Sequence, residues 1–471
     1  MRSQPLAALR FGRKGKVLQN RRIQVLALIA VVLAVTSGIG AASTTGSNRQ
    51  KHRALPATRM TRSHARTLVT ALGVGKKASA THPNQEAISP LHAVIASQTA
   101  DAAVAPTTVP STPSSSPSSL STLAAATVEQ IAADANWIVS NQFSNGAIAQ
   151  GITPTSSSSV FIEPYTANYA AIGLARAASV TGNAAYGQAS WDWLHWYATN
   201  EQPSTGFVFD ATMSFPFIGG EASTSLGSMD SSDAYAGTFL LAAYDTSIAD
   251  PDVAALDNLA PGISGAVNAI EETQQPDGLT WATPTYQMAY LMDNTEAHAG
   301  LLGAARLEVL LNDPAAAASD EASASRMEAG IQSLWNPATD SFDWADTASG
   351  AQATIWSDLY PDAAEQAWAV GLGAATPAQA SDLMSEVANQ EPQWDNPTAS
   401  AAFEGSSSST VGYWPGIGWG FDVAGQTASA QTGAASIGVA TSAAQNAWPY
   451  TTQDAGQMIV LLSGGPTLPP S

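Results

Sequence analysis

The chain has 471 residues, no cysteine and a formal net charge of −20. Residues 1–124 hold 15 of the 18 Lys and Arg, whereas residues 125–471 hold 36 of the 38 acids and only three cations, a net charge of −33. A domain this acidic repels phosphate backbones, which excludes nucleic-acid binding, and it disfavours anionic ligands in general. The lack of cysteine excludes disulfides, thiol catalysis and cysteine-ligated metals.

The first 42 residues have the pattern of a targeting segment. Residues 1–22 contain seven basic and no acidic residues, and they precede an apolar run, Val25–Ile39, that ends at small residues 40–42. This pattern fits a cleaved signal peptide, and it equally fits an uncleaved anchor that crosses the membrane through residues 23–42. In both cases the basic flank stays inside, so we expect the following domain to be secreted or attached to the outer face of the cell membrane.

Residues 43–124 connect this segment to the folded domain. Residues 43–100 are polar and basic and lack a sustained hydrophobic period, which predicts disorder. Residues 107–122 read TTVPSTPSSSPSSLST, a Ser/Thr/Pro-rich composition that favours an extended stalk. We interpret the stalk as a passive linker that holds residues 125–471 away from a membrane or a cell wall.

Residues 125–471 contain helical segments of two alternating kinds. The segment TVEQIAADANWIVSNQF, which begins at Thr127, has one apolar stripe with polar residues opposite, whereas EPYTANYAAIGLARAASVTG, which begins at Glu163, is apolar nearly all round. The alternation continues through about eleven or twelve helices. An all-round apolar helix must be covered on every side, so the alternation predicts an inner ring of helices inside an outer ring. The expected fold is all-α, an (α/α)6 barrel of about six helical hairpins.

This arrangement predicts which side chains are buried. We expect the inner-helix residues Leu240, Leu302 and Val370 to be buried, and the outer-helix residues Glu129, Glu272 and Glu386 to be exposed. Two short aromatic runs, residues 207–209 and 215–217, are predicted to be small strands in a loop.

The inner helices share acidic residues at their starts. If these helices run parallel, their first turns all lie at one end of the barrel. Capping of free N–H groups explains many of the acids individually, but capping does not require the aromatic residues that accompany them. Aromatic faces that stack on sugar rings, beside carboxylates that bind hydroxyls, are typical of a carbohydrate site. The acids are Glu163, Asp230, Asp233, Asp293, Glu296, Asp362, Glu365 and Asp454. We expect substrate to be bound by Asp233, Glu296, Tyr165, Tyr360, Trp414, Trp419, Trp448 and Tyr450.

Three of these helix starts resemble glycoside hydrolase family 8, one of the six-hairpin glycosidase families with (α/α)6 barrels. The string IEPYTANYAAIGLA from Ile162 is similar to the glutamate-led second helix of that family, and DSSDAYAGTFLLA from Asp230 is similar to its aspartate-led fourth helix. Asp293 and Asn294, at the start of the sixth helix, stand where the family has its catalytic base aspartate. The resemblance covers about residues 125–465. It implies that Glu163 is the general acid, Asp230 positions the sugar and Asp293 is the catalytic base. It also implies hydrolysis of a glycosidic bond with inversion at the anomeric carbon.

The chain also departs from that family. The string PYT at 164–166 stands where the family has a glycine-rich string, and NTE at 294–296 stands where an arginine follows the base. The apolar neighbours of Glu163 predict a raised pKa for its carboxyl, against the pull of the helix N-terminus. Related barrels use other acid pairs, so three rim acids stay alternatives for the two roles: Asp233, Glu296 and Glu365.

No cofactor and no metal site are expected. The domain has two histidines, His195 and His298, which are too few for a histidine-rich metal site or a strong Ser-His-Asp arrangement. We interpret His195 as structural, and His298 as structural or as a partner of a site residue. Loop carboxylates could bind calcium, although no EF-hand spacing occurs.

Three functions remain open at this point. The first is an extracellular glycoside hydrolase that acts on a neutral polysaccharide or oligosaccharide. The second is a barrel of the same fold that acts on uronates as a hydrolase, lyase or epimerase, which the scarcity of Arg and Lys disfavours. The third is a catalytically silent carbohydrate-binding or cell-surface protein. We expect a monomer whose partner is a carbohydrate.

Overall fold

The computed structural model describes residues 124–151, 159–214, 223–396, 412–446, 449–465 and 469. The predicted signal or anchor segment, the segment 43–100 predicted to be disordered and the stalk lie outside these residues. Within the described part of the chain, no helix is both long enough and apolar enough to cross a membrane.

Twelve helices account for most of the described residues. The odd-numbered helices are α1 (Ala125–Ser140), α3 (Ala184–Asn200), α5 (Val253–Glu271), α7 (Pro314–Ser333), α9 (Pro377–Gln390) and α11 (Thr427–Ala444). The even-numbered helices are α2 (Pro164–Thr181), α4 (Ser232–Ala249), α6 (Leu291–Leu310), α8 (Asp362–Gly371), α10 (Pro415–Val423) and α12 (Thr452–Leu462).

The even-numbered helices form a closed inner ring and the odd-numbered helices surround it. Each inner helix packs against the next one, and α12 packs against α2, which closes the ring. Burial follows the same division: α4 buries every residue from Ser232 to Ser247, whereas α1 buries only one stripe, around Ile131 and Ile138. The fold is therefore the (α/α)6 barrel that the alternation of helix types predicts.

Two glycine pairs let neighbouring inner helices approach backbone to backbone. A Cβ atom on Gly173 of α2 would lie 2.4 Å from the Cα of Gly456 on α12. A Cβ atom on Gly300 of α6 would lie 2.6 Å from the Cα of Gly237 on α4. Because no side chain larger than hydrogen fits at these crossings, the glycines set the close spacing of the inner ring.

The predicted burial pattern is confirmed except at two positions. Leu240 and Val370 are fully buried, and Glu129 and Glu272 are exposed. The two exceptions are Leu302, which was expected to be buried, and Glu386, which was expected to be exposed. Both are half-buried. Leu302 lies beyond the middle of α6, where the helix starts to show one side to the exterior, and it packs only partly against the core.

Within the described residues, eight short strands lie in the loops between helices. They are β1 (Ser159–Ile162), β2 (Ala211–Ser214), β3 (Thr224–Ser225), β4 (Met288–Tyr290), β5 (Trp335–Asn336), β6 (Ser341–Phe342), β7 (Ala345–Thr347) and β8 (Gly350–Gln352). They form three antiparallel sheets in the orders β1-β2-β3, β4-β7-β8 and β5-β6.

The strand predicted at residues 207–209 is wrong, because the chain first pairs a few residues later, at β2. The register of β1 sets this position, since it runs from Ser159 opposite Ser214 to Ile162 opposite Ala211. The second predicted strand, 215–217, lies outside the described residues. The sheet β1-β2-β3 leads directly into the start of α2, and β4 leads directly into α6.

Candidate active site

The starts of the six inner helices meet at one end of the barrel, which we call the mouth. Side-chain contacts pass from each helix start to the next around the ring, so the inner helices run in the same direction. These contacts are Tyr165 with Tyr235, Ser231 with Asp293, the Met292 N–H with Glu365, Tyr360 with Trp414, Tyr413 with Tyr450, and Thr166 with Gln453. The prediction that the acidic helix starts lie together is therefore confirmed.

Glu163 stands at the start of α2, half-buried, with donors directed at its carboxylate. Gln150 Nε2 donates a hydrogen bond of 3.1 Å to Glu163 Oε2, and the Thr166 hydroxyl donates to the same oxygen. Glu163 is also the N-cap residue of α2, where the helix dipole favours negative charge. All three features stabilise the ionised carboxylate.

A second carboxyl, Asp210, lies beside Glu163. Ile162 pairs with Ala211 at the end of the β1–β2 ladder, so the next opposed positions along the two antiparallel chains are Glu163 and Asp210. Opposed residues of an antiparallel pair project on the same side, with Cβ atoms about 4.5–5.5 Å apart. The sequence analysis missed Asp210, although it follows a strand-like aromatic run in the loop between α3 and α4.

Asp210 is held rigidly. Its N–H donates to the Ser228 carbonyl at 2.9 Å, its own carbonyl accepts from the Leu226 N–H at 2.8 Å, and the Tyr235 hydroxyl donates to Oδ1 at 2.9 Å. Burial raises the pKa of the Asp210 carboxyl to about 8, with further contributions from the charges of Glu163 and Asp230. The Tyr235 hydrogen bond opposes these effects.

Deeper in the mouth, Asp233 and Asp293 share one hydroxyl group. Ser231 Oγ lies 2.6 Å from Asp233 Oδ1 and 2.6 Å from Asp293 Oδ2. Burial raises the pKa of both carboxyls, and the charge of Asp233 raises that of Asp293 further. Asp293, the predicted base, is therefore one member of a coupled buried pair, and its role depends on which of the two carboxyls holds the proton.

Glu296 and Glu365 are buried near Asp293, whose charge acts on both carboxyls. The hydroxyls of Tyr165 and Tyr169 donate to Glu296 Oε1 at 2.9 and 3.1 Å. Glu365 Oε2 accepts the Met292 N–H at 3.1 Å, so it caps the neighbouring helix α6. Burial raises the pKa of both carboxyls well above the usual value, and the charge of Asp293 adds to the effect.

Asp230, predicted to position the sugar, lies at the start of α4 and is half-buried. Its N–H donates to the Tyr235 hydroxyl at 3.4 Å. Because Tyr235 in turn donates to Asp210, one tyrosine joins these two carboxyl-bearing residues. Three half-buried carboxyls thus meet around Tyr235: Glu163, Asp210 and Asp230.

The predicted aromatic residues are mostly packed against one another. Tyr360 stacks on Trp414 at 5.4 Å between ring centroids, at the start of α10. Trp419 is 1% exposed and donates its indole N–H to the Gln457 carbonyl, which places it in the barrel interior. Tyr450 is also buried, and its hydroxyl donates to Asp134 on the outer helix α1. Trp448 lies outside the described residues.

A cavity lies next to β4, the strand that leads into the start of α6. It has a volume of about 210 Å³ and lies between the loop before β4 and the β7–β8 hairpin. Its lining includes the half-buried Trp281 and the acidic residues Asp277 and Asp346. An aromatic face beside carboxylates is the combination that the sequence analysis associates with carbohydrate.

The three arginines of the domain lie away from the mouth carboxyls. Arg176 is in the C-terminal half of α2, where it donates to the Gly465 carbonyl, and Arg306 near the end of α6 pairs with Glu321 at 2.9 Å. Arg326, on the outer helix α7, donates to Gln274 and Ser323. The domain contains no lysine, so within the described residues no cation is placed to bind an anionic sugar at Glu163 or Asp293.

Comparison with solved structures identifies proteins of the same architecture. The family 63 mannosylglycerate hydrolase from Thermus thermophilus, in complex with glucose, has a TM-score of 0.52 at 12% identity over 71% of this chain and 99% of its own. A single-residue variant of a glycosidase has a TM-score of 0.51 at 14% identity, and the wild-type glycosidase has 0.50 at 14%, each over 71% of this chain and 96% of its own.

These likenesses establish the (α/α)6 fold, which this chain shares with glycosidases. No family model and no curated protein matches the sequence. The comparisons do not distinguish between glycosidase families, so the resemblance to glycoside hydrolase family 8 stays a prediction.

Proposed function

We propose that the protein is a glycoside hydrolase of the six-hairpin superfamily that acts on a neutral polysaccharide or oligosaccharide. One observation carries the proposal. Carboxyls in contrasting environments meet at the mouth of a closed (α/α)6 barrel, a fold that the compared glycosidases share. Glu163 receives two hydrogen-bond donors, whereas burial raises the pKa of the neighbouring Asp210 carboxyl.

This contrast suits the cleavage of a glycosidic bond. The reaction requires one carboxyl that is protonated and gives its proton to the leaving oxygen, and one that is ionised and takes a proton from water. In our proposal Glu163 belongs to the carboxyls that supply the proton to the leaving oxygen. Asp293 is the base, and Asp230 positions the sugar. The Ser231 hydroxyl can donate to an ionised Asp293 while Asp233 carries the proton of that pair.

The charge of the domain favours a neutral substrate. A uronate needs a cation to bind its carboxylate, and Arg176 and Arg306 lie in the C-terminal halves of their helices, away from the mouth. We also propose that the enzyme works outside the cytoplasm, either secreted or attached to the membrane, because of the signal-like residues 1–42.

A catalytically silent carbohydrate-binding protein is the second candidate. It is favoured by the burial of the predicted aromatic residues, since Trp414 and Tyr450 pack against other rings of the protein. Such a protein would bind glycans without cleaving them.

A hydrolysis assay separates these functions. The full-length protein is incubated with a panel of neutral glucans, xylans, mannans and their oligosaccharides, and with polyuronates, and the release of reducing ends is measured. We expect release from at least one neutral substrate and none from polyuronates. Binding to a glycan without release from any substrate would refute the hydrolase and support the silent protein, and cleavage of polyuronates alone would support the uronate enzyme.

A further inference from the structure

We propose that Asp210 is the proton donor of the reaction and that Glu163 is the carboxylate that keeps the proton on Asp210. The inference rests on the proposed glycosidase activity, and it replaces Glu163 by its neighbour as the group that gives the proton. It starts from the register of the β1–β2 ladder, which ends at Ile162 opposite Ala211, so that Glu163 and Asp210 are the next opposed residues. The charge of Glu163 acts on the Asp210 carboxyl, in agreement with this placement.

Two carboxyls this close cannot both ionise without strong repulsion, so the pair holds one proton near neutral pH. The surroundings decide which carboxyl holds it. Glu163 Oε2 accepts hydrogen bonds from Gln150 and Thr166, and Glu163 stands at the positive end of the α2 dipole. These features stabilise negative charge on Glu163.

Asp210 has less to stabilise its anion. It does not lie at a helix N-terminus, and the Tyr235 hydroxyl is the side-chain donor to its carboxyl among the described residues. The groups that face it from the starts of α2 and α4 are Glu163, Asp230 and Tyr235, two of which are acids. Burial and these charges raise the pKa of Asp210 to about 8, so that its carboxyl is protonated at neutral pH.

Asp210 is also accessible to substrate. It is half-buried at the edge of the mouth, like Glu163 and Asp230. The backbone hydrogen bonds to Ser228 and Leu226 fix its position. A rigid, partly open, protonated carboxyl is what a proton donor to a glycosidic oxygen requires.

The Asp210 proton passes to the glycosidic oxygen while the bond from that oxygen to the anomeric carbon breaks, and the leaving sugar departs as an alcohol. A water molecule attacks the anomeric carbon and gives its proton to the base, Asp293 in our proposal. Asp210 then recovers a proton from solvent, and the base releases one.

The first test uses the leaving group. On a natural glycoside, Asp210→Asn should lower kcat/KM by about 10²–10⁴-fold. On a nitrophenyl glycoside of the same sugar the loss should be about tenfold or less, because nitrophenolate leaves without a proton. Asp210→Glu should restore part of the activity, and the exposed outer-helix variant Glu129→Gln is the matched control. Equal losses of Asp210→Asn on both substrates would indicate a structural role and overturn the proposal.

The second test does not depend on activity. Carbon NMR of aspartate carboxyls, assigned with Asp210→Asn, should show that Asp210 in the full-length protein titrates near pH 8. Its pKa should fall by about one pH unit or more in Glu163→Gln, which removes the adjacent charge, and should rise in Tyr235→Phe, which removes the donor. An Asp210 that titrates near pH 4 would overturn the proposal. A wild type that cleaves nothing would instead refute the proposed function, whereas an active wild type with an equally active Asp210→Asn would refute only the role of Asp210.

Discussion

Asp233 and Asp293, on neighbouring inner helices, meet at a single hydroxyl group. Ser231 Oγ lies 2.6 Å from a carboxylate oxygen of each. A hydroxyl has one proton to donate, so the second short contact requires a proton on one of the carboxyls. The pair therefore holds at least one proton in the folded protein, and Ser231 lets the two acids coexist in the barrel centre.

Removal of this hydroxyl should destabilise the protein in a pH-dependent way. Ser231→Ala should lower the free energy of unfolding by about 1–3 kcal/mol at pH 7, because an ionised carboxylate of the pair loses its donor. The loss should be smaller at pH 4.5, where the two carboxyls can both be protonated and bond to each other. Urea unfolding at the two pH values measures this loss of unfolding free energy, with Ser264→Ala on the exposed face of α5 as the control. An equal loss at both pH values would contradict a shared proton.

Several buried carboxyls should make the stability of the protein depend on pH. The composition alone predicts the highest stability toward about pH 4–5, where acids become protonated. In the folded protein, burial raises the pKa of several carboxyls: Asp134 to about 6, Asp245 and Asp454 to about 7, and Glu201 to about 9. In the unfolded chain these groups titrate near 4. The folded state thus binds more protons, and its stability is lost as pH rises through the folded pKa values.

The expected result is a melting temperature that falls between pH 5 and pH 9. Glu201→Gln should reduce this fall, because Glu201 Oε1 is buried without a hydrogen-bond partner among the described residues. Glu129→Gln, at an exposed position, should leave this fall unchanged. Melting followed by circular dichroism over this range checks both expectations. A melting temperature that rises from pH 5 to pH 8 would show that the buried carboxyls do not determine the pH dependence of stability.

The glycine crossings of the inner ring give a prediction about packing. A Cβ on Gly456 would lie 2.1 Å from the Tyr169 carbonyl oxygen, so Gly456→Ala must push α12 away from α2. We expect a loss of about 1–3 kcal/mol or more in the free energy of unfolding. Gly438→Ala on the outer helix α11 is the matched control, since its nearest neighbour is the Met458 Cε at 4.0 Å. The control should gain up to about 1 kcal/mol from helix propensity. Similar changes in the free energy of unfolding for the two variants would show that the inner helices can shift to accommodate the added methyl group.

The barrel could be predicted from the sequence because the burial of a helix determines the spacing of its apolar and polar residues. A helix covered on all sides, such as α4 around Leu240, has no polar stripe, whereas an outer helix such as α1 has one that contains Glu129. Leu302 is an exception, because it lies on an inner helix and is still half-buried.

The site was harder to predict, for two physical reasons. Asp210 reaches Glu163 only through the register of two short strands that are about fifty residues apart in the chain, and no local pattern encodes that register. Aromatic residues pack in cores as readily as they bind sugars, so the sequence could not tell that Trp419 and Tyr450 are buried within the protein.

The central claim is that the mouth carboxyls cleave a glycosidic bond, and one kinetic comparison tests it most directly. On the neutral substrate that the wild type cleaves best, kcat/KM is measured for wild type, Glu163→Gln, Asp293→Asn and the control Glu129→Gln, with folding checked by circular dichroism. We expect losses of about 10²–10⁴-fold in the two mouth variants, because each removes a carboxyl on which proton transfer depends, and no change in the control. Wild-type rates in both Glu163→Gln and Asp293→Asn would contradict the account.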